Sequence, residues 1–104
     1  KINGKYLMYW GELFVNLATS KNGVDCEPSL TDKGELLHSF KPTLNDFDSH
    51  LTEPGPPALF TDAGILLLYN GKNLSGEGAT DKYPEGTYCG GQVDRKTRYS
   101  LHLP

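Results

Sequence analysis

One glutamate stands where it could do chemistry: Glu53 in "HLTEPGPP". A carboxylate held still can take a proton from an attacking water while an acid protonates the leaving oxygen on the far side of the bond being broken. Glu53 is followed at once by Pro54, Gly55, Pro56 and Pro57. Each proline fixes its own φ and brings no N–H to a sheet ladder, so the segment reads as rigid, non-repetitive backbone ahead of a strand. The plain reading is a stiff turn carrying a solvated acid. The sharper one is a carboxylate mounted on a support that cannot move.

The elements that would position this acid are almost all β. "KYLMYW" (5–10) and "LFVNLAT" (13–19) are rich in aromatic and β-branched residues, with Gly11 and Glu12 between them. "KNG" (21–23) is a turn signal, because Asn and Gly tolerate positive φ, and "VDCEP" (24–28) predicts a short strand closed by Pro28. From Ser29 to Pro57 the composition turns polar apart from "ELLHSF" (35–40), which predicts a long loop carrying the Glu53 segment. "ALFT" (58–61), "DAG" (62–64) and "ILLLYN" (65–70) predict strand, turn and strand. A Gly-rich loop from Gly71 to Gly86 and a last strand at "TYCGGQV" (87–93) follow. No stretch carries a helical period.

Short strands on tight turns, a long loop, then the same again predict two four-stranded meanders, the blade pattern of a β-propeller. The expected layout is a single partial domain over 1–104: the end of one blade at 1–28, a loop and site segment at 29–57, and the next blade at 58–104. In a propeller the innermost strand of each blade lines a central channel. Glu53, at the entry of the second unit's first strand, would point towards it.

Composition narrows the partners. A chain of 104 residues makes one small domain, and a net charge of −3 offers no basic footprint for nucleic acid. The longest apolar run, "GILLLY", is too short for a membrane helix. Cys26 and Cys89 lack metal-ligand spacing and read as two buried or free thiols, with a disulfide between them as the alternative; no His/Cys/carboxylate pattern suggests a metal, and no cofactor is implied. The compartment stays open between cytoplasm and periplasm. The opening "KINGKYLMYW" and the close "TRYSLHLP" have no lead-in and no polar tail, as expected of a piece of a larger protein with an unpaired sheet edge.

"GKYLMYWGE", "VNLATSKNGV", "FDSHLTEPGPPALFTDAGILLLYNGKN" and "YPEGTYCGGQ" together resemble the second half of a five-bladed propeller from glycoside hydrolase family 130. The resemblance spans roughly residues 3 to 92, and Pro54–Gly71 carries its most specific part. Beyond Gln92 the chain is atypical, and Cys26 stands where the family usually has Trp. The family holds β-mannoside phosphorylases and β-mannosidases. The resemblance implies a mannoside or oligosaccharide substrate, with the remaining blades or a second copy as further partners.

It also implies roles. The two glutamates of the hydrolytic members match Glu12 and Glu53, and the family's general acid is an aspartate in an earlier blade whose motif has no match here. "WGE" and "YNG" depart from the phosphorylase pattern and favour water over phosphate. Inverting hydrolysis of β-mannosides, β-1,2 linkages in particular, is the expected activity. A phosphorylase, or a non-catalytic carbohydrate-binding or structural piece, is the alternative. Trp10 is a candidate sugar platform, although aromatics on a strand usually pack. Asp48 and His50 in "FDSH" and Asn70 in "YNG" are candidate sugar contacts. Lys72 and Arg95 could bind phosphate, but nothing in the sequence makes them converge.

Overall fold

The structure, a computed structural model, describes residues 4–95. Among these the chain is all β, with eight antiparallel strands in two sheets. The first sheet holds β1 (Tyr6–Trp10), β2 (Val15–Ser20), β3 (Cys26–Pro28) and β4 (His38–Phe40). The second holds β5 (Leu51–Pro54), β6 (Leu59–Thr61), β7 (Gly64–Lys72) and β8 (Tyr88–Arg95).

Each sheet is built on one central strand. β2 pairs with β1 along one edge, and its other edge is shared by β3, opposite Ala18–Ser20, and β4, opposite Val15 and Asn16. Between β3 and β4 the chain leaves the ladder for an excursion over 29–37. Leu17 closes the gap: its carbonyl accepts from Ser29 N at 2.8 Å, and its N–H donates to the Leu37 carbonyl at 3.3 Å. β7 repeats the plan, with β8 along one edge and β5 and β6 end to end along the other. Pro54 faces Tyr69 while Leu59 faces Leu66, so the register slips by two residues across the proline segment. The Gly55 N–H still donates to the Leu68 carbonyl at 2.9 Å.

Two expectations change. Ser29–Pro57 is not a continuous loop, since β4 and β5 lie within it. Each sheet is three lanes wide with one interrupted edge lane, not a meander of four full strands. The Pro-Gly-Pro-Pro segment is the interruption: an edge strand needs donors on one side only, so it can lose them to proline without leaving the central strand unpaired. The expected atypical stretch after Gln92 falls mostly outside the described residues.

β2 reads as a nearly continuous apolar run because Val15, Asn16, Leu17 and Ala18 are all buried, so both its faces are covered. In β7 burial alternates from Leu67 to Gly71, with Leu67, Tyr69 and Gly71 buried and Leu68 and Asn70 exposed. The segment carrying Phe47 and Asp48 lies across that buried face. A Cβ on Gly71 would come within 2.5 Å of the Asp48 Cβ, so only glycine fits there. Phe40 of the first sheet meets Tyr69 of the second edge to face, with ring centroids 4.8 Å apart, and the two sheets share an apolar core there.

The turns follow local chemistry. Ser20 Oγ accepts from the Gly23 N–H at 2.8 Å, Asn22 Oδ1 accepts from the Val24 and Asp25 N–H groups, and Gly23 takes a φ of 79°, as the "KNG" signal predicts. The loop after β7 winds around Asn73, which is 1 % exposed. Its Nδ2 reaches the carbonyls of Thr80, Tyr83 and Pro84 at 3.0–3.3 Å, and its Oδ1 accepts from Thr80 N and Ser49 Oγ.

Candidate functional site

Glu53 sits inside a strand of its own, not in a turn ahead of one. It is half-buried in β5 and lies directly opposite Asn70 of β7. Paired residues of an antiparallel ladder project from the same face, so Glu53 and Asn70 share the face opposite to the Leu67 and Tyr69 side chains. Lys72 lies two residues along that face, its Nζ 5.5 Å from the centroid of the Tyr88 ring.

Glu12 is exposed in the turn between β1 and β2. That turn is shaped by Gly11, whose φ of +120° leaves no space for a side chain: a Cβ would stand 2.3 Å from the Phe14 carbonyl oxygen and 2.9 Å from Asn16 Nδ2. Trp10, just before it, is half-buried, and its Nε1 has no hydrogen-bond partner among the described residues. Beside the turn, His38 Nδ1 hydrogen-bonds Asn16 Oδ1, and the His38 ring stacks on Phe14 with centroids 4.5 Å apart.

The two glutamate-bearing segments come from different sheets and are tied together by one residue. Thr52 donates twice to the Leu13 carbonyl, from its backbone N–H at 3.1 Å and from Oγ1 at 3.2 Å. Thr52 is 0 % exposed. It precedes Glu53, and Leu13 follows Glu12, so the tie sets the Glu12 turn against the Glu53 strand.

The other sequence candidates separate. His50 is exposed and anchored through its backbone, its N–H donating to the Lys72 carbonyl at 2.8 Å. Asp48 is 2 % exposed and accepts from the Tyr69 hydroxyl at 2.7 Å, so it packs under the second sheet and presents no face to solvent. Burial first, then the hydrogen bond to Asp48 and the charges of Asp48 and Asp46, push the Tyr69 hydroxyl far above the usual phenol pKa. Cys26 and Cys89 are free. The side chain of Arg95 lies outside the described residues. Among the described residues no group of three or more His, Cys, Asp or Glu could hold a metal ion.

Two grooves adjoin the Pro-Gly-Pro-Pro segment. One, of about 440 Å³, is lined by Tyr6, Tyr9, Pro57, Phe60 and Ile65 among others. The second, shallower and of about 500 Å³, runs past Gly55, Asn70, Gly91 and Gln92. Neither is lined by Glu12 or Glu53. Thr52, Asn16, His38 and Tyr69 support the site and do not stand out in the sequence. A polar residue inside an apolar strand run, such as Asn16 in "LFVNLAT", was the one available signal.

No family profile matches the chain, and no curated protein does. Solved structures match it closely. A protein assigned as a glycosidase from Bacteroides thetaiotaomicron is 51 % identical over all of this chain, with a TM-score of 0.92, and the chain covers 30 % of it. A glycosyl hydrolase from Bacteroides ovatus is 44 % identical over all of this chain, with a TM-score of 0.92 and 29 % of its own length covered. A third structure is described under the GH130 family of mannoside phosphorylases and the glycoside hydrolases within it that target β-1,2 mannosidic linkages in Candida mannan. It is 43 % identical over all of this chain, with a TM-score of 0.89 and 28 % of its length covered. The chain resembles glycoside hydrolases of family 130. This family-130-like chain spans less than a third of the length of the proteins it matches, and over that span the likeness reaches from residue to fold.

Proposed function

We propose that the chain forms part of the active site of an inverting β-mannoside hydrolase, with β-1,2-linked mannosides as the substrate class. The observation that carries this reading is the Thr52–Leu13 tie, which joins the turn bearing Glu12 to the strand bearing Glu53. Glu53 takes the proton from the attacking water as the water oxygen bonds to the anomeric carbon, and Glu12 accepts the second hydrogen bond of that water. The leaving oxygen receives its proton from an acid outside this chain. Asn70, on the same face as Glu53, contacts a sugar hydroxyl, and Trp10 and His50 line the approach. Asp48 acts from beneath, holding Tyr69. The two sheets, β1–β4 and β5–β8, are two adjacent blades of a five-bladed propeller, and further blades complete the channel.

A phosphorylase is the second reading, favoured by one feature: Lys72, a cation on the same sheet face as Glu53 and Asn70. Product analysis on β-1,2-mannobiose by the protein in its full natural length separates the two. Hydrolysis releases mannose with no phosphate present. Turnover that requires inorganic phosphate and yields mannose 1-phosphate selects the second reading, and no cleavage under either condition rejects both.

A further inference from the structure

We infer that Thr52 is a positioning residue for the glutamate pair, acting through the Leu13 carbonyl and touching no substrate itself. This rests on the two-glutamate reading above and extends it to a residue that has no chemistry of its own. Thr52 is fully buried, so its hydroxyl needs a partner inside the protein. Here it donates out of its sheet, to the same carbonyl that its backbone N–H already engages. A carbonyl has two acceptor lone pairs, and Thr52 fills both.

A single backbone bond would leave the Glu12 turn free to pivot about the N–H···O axis. Two donors converging from one residue remove that freedom. Within the turn Glu12 and Leu13 are both exposed and Gly11 contributes no side chain, so what holds it against the second sheet is the tie at Thr52. On the other side of the tie, Glu53 follows Thr52 in the same strand and leaves from the opposite face. The hydroxyl therefore fixes the position of one carboxylate relative to the other across two sheets. A base and a second carboxylate sharing one water need that spacing held to a fraction of an ångström.

Thr52→Val removes the hydroxyl, keeps the β-branched shape, and leaves the backbone bond to Leu13 in place. Thr52→Ser keeps the hydroxyl. In the full-length protein acting on β-1,2-mannobiose, Thr52→Val is expected to lower kcat by roughly 10- to 100-fold with KM within about twofold, the scale of loss when a reacting group is misplaced. Thr52→Ser is expected to restore most of that kcat. Amide hydrogen exchange over 11–14 is expected to quicken in the valine variant alone.

Parental kcat in Thr52→Val, or equal losses in the valine and serine variants, overturns the inference while Glu12→Gln and Glu53→Gln still lose activity. Full activity in both glutamine variants instead overturns the two-glutamate reading and the positioning role with it. The exchange measurement then decides whether the hydroxyl tie holds the turn at all, and unchanged exchange denies it.

Discussion

Asn70 lies directly across the ladder from Glu53, so the amide and the carboxylate leave the second sheet side by side on one face. Asn70 itself ends the exposed set of β7 and, among the described residues, has no side-chain hydrogen bond of the kind that binds Asn16, Asn22 or Asn73. Its expected role is to hold a sugar hydroxyl next to the base. Asn70→Ala should raise KM several-fold on β-1,2-mannobiose and lower kcat less, because the contact exists before the bond breaks. A change confined to kcat would move Asn70 from binding to the reacting centre.

Replacing either proposed carboxylate should act in the opposite sense. Glu53→Gln and Glu12→Gln keep size and polarity, so binding should survive while kcat falls, by roughly 10²–10⁴-fold for the residue that takes the proton. Steady-state kinetics in phosphate-free buffer measures this. Near-parental kcat in both variants removes the glutamates from the reaction.

Gly11 carries a structural prediction independent of function. Gly11→Ala sets a Cβ against a backbone oxygen at a φ that L-residues avoid, and should cost about 3 kcal/mol from strain and overpacking together. Urea unfolding of the full-length protein reports it. A loss below about 0.5 kcal/mol, the scale of an ordinary surface change, would mean that the turn relaxes without effort.

Tyr69 predicts an alkaline weakness. Its hydroxyl resists ionisation in the folded chain, whereas an unfolded tyrosine ionises near pH 10. The folded state then binds the proton more tightly than the unfolded state, so the contribution is complete below about pH 10 and is lost as pH climbs beyond it. Denaturation at pH 8 and at pH 11 should show this fall, and Tyr69→Phe should flatten it. Tyrosinate absorbance gives a second reading, in which one residue ionises only as the fold opens. A parent and variant with identical alkaline profiles would contradict the assignment.

The 104-residue chain on its own should be marginal. Leu59, Phe60 and Tyr88 are each more than half exposed, and Leu68 is 41 % exposed on the outer face of β7. Sheets with faces this apolar usually have something packed over them. A cooperative thermal transition well above about 60 °C for the purified monomer would show that the two sheets suffice.

Much of this architecture is legible in the residues, and the illegible part has a common cause. β1, β2 and β7 announce themselves through five to nine residues rich in aromatic and aliphatic side chains, while β8 shows itself only through Tyr88 and Val93 on either side of Gly90 and Gly91. β4 and β5 are three and four residues long, and β5 ends in Pro54. They are edge segments that take their pairing from a neighbour already in place, so their own composition need not favour a strand. The site divides in the same way. The glutamates stand out by resemblance and by the prolines beside one of them. Thr52 does not, because a strand threonine that reaches across sheets is spelt like one that does not.

The excursion over 29–37 has a practical meaning for anyone altering this protein. Leu17 meets the chain as it departs, through Ser29, and as it returns, through Leu37, while Ser29 and Leu37 also bond each other at 2.9 Å. The neck is thus pinned, and what hangs from it is bookkept separately from the ladder. Residues 31–36 could be lengthened, shortened or exchanged for an affinity tag or a reporter peptide without shifting a single pair in β2, since the entropy of a longer loop grows only slowly with its length. It is a socket, already wired at both terminals.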